Sequence, residues 1–219
     1  MAKPIVIVNF KTYPQATGER AVALAKICQT LGRKHKVDIR IAVQTTDISA
    51  VAKAVSIPVY AQHADFAMPG KSTGWVTAHA LKKAGAKGTL LNHAEHRISI
   101  QGIRGIIPHL RKSRLDVIAI AADVRQLQEF ERHVDADLFC IEPPELIGGD
   151  VSVAMARPGV IGDAVRASSR PLLVGAGIKN RTDLTIALSL GAAGVLLSSH
   201  IVLAHDQRGA LERLIAPRR

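Results

Sequence analysis

Eight short apolar runs, separated by amphipathic stretches along the whole chain, restrict what this sequence can fold into more than any other feature. The runs are PIVIVN, IRIAVQ, IPVYAQ, GTLLN, DVIAIA, LFCI, PLLVG and GVLLSS. Each reads as a short buried strand. Between them lie helical candidates such as GERAVALAKICQTL, WVTAHALKKAGA, IRGIIPHLRKS, VRQLQEFERHV and RTDLTIALSLGA. In the first of these Ala21, Leu24, Ala25 and Cys28 fall at i, i+3, i+4 and i+7, an apolar stripe on one helix face. Eight strands, each followed by a helix or helical turn, is the count of a (β/α)8 barrel, and 219 residues lies at the short end of that fold's range. No linker, low-complexity segment or composition break divides the chain, so the expectation is α/β, a single barrel domain over residues 1–219. An open doubly wound sheet is the alternative, but no G-x-G-x-x-G follows the first strand.

Composition removes several classes of function. No run of 18 apolar residues is present, and MAKPIVIVNF is too short and too broken by Pro4 for a signal segment, so a cytoplasmic location and no membrane partner are expected. Cys28 and Cys140 lack C-x-x-C spacing and read as free buried thiols. His93 and His96 in HAEH lack a third ligand, so no metal is expected. The net charge of +11 attracts anions, either nucleic acid or phosphorylated metabolites. Aromatic residues are only 3% of the chain and the basic residues are scattered, apart from short runs such as GRKHK and LRKSR, which argues against nucleic acid as the main partner.

Barrels carry their chemistry at the C-terminal ends of the strands. Side chains alternate with period two along a strand. Ile5, Ile7, Asn9 and Lys11 share one face if the first strand extends that far; Thr89, Leu91 and His93 share one in the fourth; Leu138, Cys140 and Glu142 share one in the sixth. The expectation is that Lys11, His93 and Glu142 all turn inward at one end, bringing together a cation, an imidazole and a carboxylate. Glu142 also opens IEPPELIGG, in which two prolines stiffen one end of a loop and two glycines free the other. Glu145 lies past both prolines and off the strand, and is the weaker candidate.

In order along the chain, NFKTY, LLNHAEHR, EPPELIGG, VGAGI and GVLLSS resemble the triosephosphate isomerase family in the short form found in archaea. The likeness covers nearly the whole chain; the last two motifs occur in many phosphate-binding barrels. The resemblance implies a cofactor-free enzyme that interconverts dihydroxyacetone phosphate and D-glyceraldehyde 3-phosphate in glycolysis and gluconeogenesis. It implies Lys11 as substrate-binding cation with Asn9 beside it, His93 as electrophile, Glu142 as base and Glu95 as the carboxylate that holds Lys11. It places the backbones of Ile147, Gly148, Gly177, Ser198 and Ser199 around the phosphate, the last two at the start of a short helix. A neutral imidazole and a closing lid are established features of that family, and come with the resemblance.

The resemblance also implies a homo-oligomer, at least a dimer and in the archaeal form a tetramer, with the GKSTGWV loop of residues 70–76 reaching into a neighbouring subunit. Three positions depart from the family pattern: Ala94 where serine is usual, His96 where arginine is usual, and His200 where glycine is common. Two other functions remain open on the residues alone: another phosphate-binding barrel enzyme, or a catalytically degenerate basic barrel that only binds.

Overall fold

The computed structural model describes residues 3–146 and 152–217. Eight parallel strands pair in chain order and close through the last and the first. They are β1 (Ile5–Asn9), β2 (Asp38–Val43), β3 (Val59–Ala61), β4 (Gly88–Leu91), β5 (Asp116–Ala121), β6 (Leu138–Ile141), β7 (Leu172–Val174) and β8 (Gly194–Leu197). The architecture is α/β, a (β/α)8 barrel. Every strand falls inside its apolar run except β2, which starts one residue early at Asp38.

Alternation along the strands divides the core in two. Ile7, Ala42, Tyr60, Leu90, Cys140 and Leu196 fill the barrel, while Val6, Ile41, Val59, Leu91, Phe139 and Val195 face the helices. The helices are α1 (Glu19–His35), α2 (Ile48–Ala54), α3 (Ala78–Ala84), α4 (Ile100–Lys112), α5 (Val124–His133), α6 (Val153–Ala156), α7 (Pro158–Ala167), α8 (Arg181–Ser189), α9 (Ser199–Val202) and α10 (Gln207–Ile215). The stripe foreseen on α1 is fully buried. Thr77, Ser99 and Asp123 cap α3, α4 and α5 by accepting from the N–H three residues on, and Asn180 with Asp183 forms a capping box on α8. Such caps contribute about 1 kcal/mol each. They fix where each helix begins, and so the length of each loop above the barrel. Cys28 and Cys140 are free and buried, and burial pushes the Cys28 thiol up to about 12, which leaves it unreactive.

A polar network closes the N-terminal end of the barrel. Arg40 donates from Nε and Nη2 to Asp38 Oδ2 at 3.2 and 2.8 Å, and from Nη1 to Tyr60 Oη at 3.3 Å. Tyr60 donates to Asp116 Oδ2 at 3.0 Å, and Lys87 Nζ lies 3.5 Å from Asp116 Oδ1. Burial works against the charge on Arg40, but Asp38 and Tyr60 outweigh it and the guanidinium holds its proton more tightly than usual.

Candidate active site

At the opposite end, β1 stops at Asn9 and Lys11 takes a left-handed backbone, with φ +47°. Lys11 therefore reaches the barrel mouth from a turn, not as the next inward residue of the strand. That turn is held by side chains: the Lys11 N–H donates to Asn9 Oδ1 at 3.0 Å, and Gln62 Nε2 donates to Asn9 Oδ1 at 3.2 Å and to the Lys11 carbonyl at 2.9 Å. The Lys11 ammonium, largely buried, donates to Glu95 Oε1 at 2.7 Å. The partnership expected between Lys11 and Glu95 is thus present.

His93 arrives by a route that period two did not foresee. Leu90 fills the barrel and Leu91 packs against the helices, so an uninterrupted strand would send His93 outward. Asn92 intervenes with φ +62°, and this left-handed residue turns the chain so that His93 swings over the mouth. The Asn92 side chain holds the kink, donating from Nδ2 to the Ile120 carbonyl at 2.9 Å and accepting from the Ile98 N–H at 3.1 Å. Asparagine tolerates left-handed backbone better than most residues, because its short side chain bonds locally. The shared face of Thr89, Leu91 and His93 is thus corrected, although His93 still lies at the predicted end.

Glu142 follows period two as expected, with Leu138 and Cys140 below it inside the barrel. Glu142 as a residue is 4% exposed, and its Oε2 lies 3.2 Å from His93 Nε2. Their alignment is too poor for a hydrogen bond, and neither atom has another partner among the described residues. Burial raises the Glu142 carboxyl to about 7, against the pull of Lys11 and of the Ala176 backbone N–H. Burial lowers His93 to about 4; Glu95 works against that shift and Lys11 adds to it. The Glu95 N–H donates to His93 Nδ1 at 3.1 Å, so the neutral ring carries its proton on Nε2, the nitrogen beside Glu142. Near neutral pH the site holds a carboxyl near its midpoint and an uncharged imidazole donor. Those are the states that proton transfer next to a carbonyl requires. Glu145 sits on a 3-10 turn, exposed and paired with Arg157 at 2.6 Å, and does not line the mouth.

Two adjoining cavities meet at Asn9, Lys11 and His93. The smaller, about 220 Å³, contains Glu142, Gly177, Ser198, Ser199 and His200. The larger, about 660 Å³, opens sideways past Tyr13, Thr45, Gln62 and His96 and does not reach Glu142, so Glu142 and the start of α9 share only the smaller chamber. Ala176 and Gly177 both have φ +71°, a tight turn above the chamber that alanine adopts at a cost of about 1–2 kcal/mol. Ser199 opens α9, and the first N–H groups of a helix have no acceptor within it. Gly177, Ser198 and Ser199 therefore meet on one wall as expected, with Ser198 Oγ buried and without a partner among the described residues. His200 stands on the same wall; burial first, then Lys179, lowers its proton affinity. Ile147 and Gly148 lie outside the described residues.

A sequence model of the family described as triosephosphate isomerase matches residues 4–216. The chain belongs to the triosephosphate isomerase family. It is 40% identical to the triosephosphate isomerase of Methanothermus fervidus over 98% of this chain and 99% of that one. It is 39% identical to that of Archaeoglobus fulgidus over 96% of each. A crystal structure of triosephosphate isomerase from Bartonella henselae superposes with a TM-score of 0.73, over 96% of this chain and 98% of that one. Its 19% identity speaks for the fold alone.

Two residues of the mouth carry no functional mark in the sequence. Gln62 binds the Lys11 turn, and nothing short of the fold brings it there. Gly175, just after β7, leaves room for the base: a Cβ at this position would lie 2.8 Å from Glu142 Oε1, closer than real contacts allow. His96, the departure from arginine, stacks on His63 with ring centroids 3.8 Å apart.

Proposed function

We propose that this chain is a cofactor-free triosephosphate isomerase, one catalytic domain that interconverts dihydroxyacetone phosphate and D-glyceraldehyde 3-phosphate in glycolysis and gluconeogenesis. The observation that carries the assignment of roles is the pairing of a buried carboxyl raised to about 7 with a neutral imidazole 3.2 Å away. Glu142 takes a proton from the carbon next to the substrate carbonyl and returns it to the neighbouring carbon, so one base serves both ends of an enediolate. His93 Nε2–H donates to the oxygens on which charge develops. Lys11 offsets that charge, held in place by Glu95. Gly177, Ser198 and Ser199, with Ile147 and Gly148, receive the phosphate through backbone N–H groups. A coupled assay of triose phosphate interconversion, run with and without chelator, tests the proposal: turnover that chelator abolishes, or no turnover, would sink it.

The proposal includes a cytoplasmic homo-oligomer, at least a dimer and, following the archaeal short form, a tetramer. Among the described residues no helix is long and apolar enough to cross a membrane. Support for the oligomer comes from an arm and a socket on the same chain. The arm's neck is closed by hydrogen bonds between Asp65 and Val76, and beyond it Phe66, Met68 and Trp75 are more than half exposed. Three large apolar side chains left exposed on one loop favour a partner that covers them. The socket is the larger cavity beside Lys11. Thr73→Arg, near the arm's tip, is expected to give folded monomers with low kcat. Sedimentation with parallel assays checks this, and fully active monomers would break the link between association and rate.

A further inference from the structure

We infer that a groove between α3 and α4, away from the barrel mouth, is a binding site for a small anion carrying two or more phosphates. The groove has a volume of about 380 Å³ and is walled by His79, Lys82, Lys83, His109, Lys112 and Arg114. Among the described residues no carboxylate lines it, and Ala78 and Ser113 are part of its wall. Among the described residues none of Lys82, Lys83, Lys112 and Arg114 forms an ion pair with a carboxylate, whereas Arg111, in the last turn of α4 with Lys112, is paired with both Asp135 and Asp137. The chain has carboxylates to spend on α4, and they go to the other side of it.

Basic residues are common at helix C-termini, where they complement the macrodipole, and both α3 and α4 end near this groove. That explanation is too small. Two helix C-termini together present only about one elementary negative charge. The groove gathers four full cations and two imidazoles around one cavity. Two of these groups are also fixed in place: Lys82 Nζ donates to the Arg114 carbonyl at 3.1 Å, and His109 lies against Phe66 with ring centroids 5.4 Å apart. Positive charge held in a concavity without counter-charge selects a compact, highly charged anion. A nucleic acid strand needs a basic track with stacking aromatics, and here the charge gathers around one concavity.

The test is calorimetric titration of inorganic tripolyphosphate, at about 50 mM salt to limit screening, into three proteins. These are the wild type, the groove variant Lys82→Gln/Lys83→Gln/Lys112→Gln, and the control variant Lys26→Gln/Lys36→Gln/Lys53→Gln, which removes the same charge elsewhere. Any binding at the barrel mouth is common to all three. We expect the groove variant to bind roughly tenfold or more weakly than wild type and the control to stay within about threefold, since charge-assisted phosphate contacts are strong only where cations converge. kcat should be the same in all three. Adenosine triphosphate binding more tightly than tripolyphosphate would add a nucleoside contact to the site, and equal affinity would assign the site to the phosphate chain alone; either result keeps the site. An unchanged groove variant, an equal loss in the control, or no binding to wild type at millimolar concentration overturns it. So does a single-stranded oligonucleotide that displaces tripolyphosphate at lower concentration. The readout is binding, so this outcome is separate from that of the catalytic reading.

Discussion

The two ends of the barrel both carry charged side chains, but they satisfy them differently. At the N-terminal end every polar atom of Arg40, Tyr60 and Asp116 that turns into the barrel meets a partner within 3.5 Å, so the cluster acts as a plug. At the C-terminal end His93 Nε2 and Glu142 Oε2 are buried side by side without a hydrogen bond between them or to any other described residue. Buried polar atoms are nearly always paired, because leaving one unpaired costs about 1–3 kcal/mol. The plug is what stability alone produces. The mouth keeps two groups in high-energy states that a substrate can relieve, the usual sign of a reactive site.

The largest difference between the two ends is expected when the mouth loses its carboxylate. Glu142→Gln is expected to lower kcat at least a thousandfold, roughly 4 kcal/mol in activation energy, since losing a general base alone is worth about 10²–10⁴. It should leave folding intact. Steady-state kinetics beside a denaturation curve reads both, and a variant within tenfold of wild type moves the base elsewhere. The converse change is Arg40→Ala at the plug. It takes the guanidinium from Asp38 while Tyr60 keeps its bond to Asp116, and is expected to cost about 1.5–3 kcal/mol of stability, as for a partly buried charged hydrogen bond, with kcat unchanged. A loss of rate with intact stability would erase the distinction between the two ends.

How much of this was legible in the sequence follows the same division. The barrel could be read because each strand is a short apolar run, and Glu142 because β6 keeps period two up to its last residue. His93 was found for an incomplete reason. Parity fails at β4, where Asn92 turns left-handed, and the only trace of that in the sequence is an asparagine between a strand and a histidine. Gly175 could not be read at all, because its role is an empty volume that exists only once β6 and β7 lie side by side. The basic groove escaped for a similar reason: LRKSR looks like a solvated helix end until α3 brings Lys82 and Lys83 opposite it.

The two ends also differ in their response to pH. Glu142 has a folded pKa of about 7 against about 4.5 unfolded, so folding favours its protonated form. Its contribution is neutral below pH 4.5 and increasingly unfavourable as pH rises to 7, where the unfolded chain ionises and the folded one resists. His93, lowered to about 4 from 6.5, does the reverse: it costs stability at low pH, and that cost vanishes as pH rises to 6.5. The two offset each other in the wild type over most of this range. Glu142→Gln removes one of them, so the variant should gain on wild type by roughly 2–3 kcal/mol between pH 4.5 and 7. Denaturant unfolding of both proteins across that range checks it, and a constant difference would mean that Glu142 is not raised. In the active enzyme the same group should give kcat/KM an acid limb near pH 7.

The smallest effect is expected at Gly175, and it tests whether the mouth is tuned by space as well as by charge. Its φ is not left-handed, so alanine can adopt the backbone there, and the strain falls on the neighbour alone. That neighbour is the far end of the Glu142 side chain, whose Oε1 would sit 2.8 Å from the new Cβ, with Cγ and Cδ at 3.1 Å. A carboxylate can yield by rotating, so Gly175→Ala should fold with nearly wild-type stability. The base would be displaced by a few tenths of an ångström, and positioning errors approaching 1 Å cost up to about a hundredfold. We expect about a tenfold loss in kcat, near 1.4 kcal/mol, with KM little changed and the acid limb of the rate profile shifted as Glu142 leaves its pocket. An unchanged kcat would show that Glu142 has room to spare. A loss of stability with kcat intact would place Gly175 with the plug, as a residue of the barrel wall and not of the reaction.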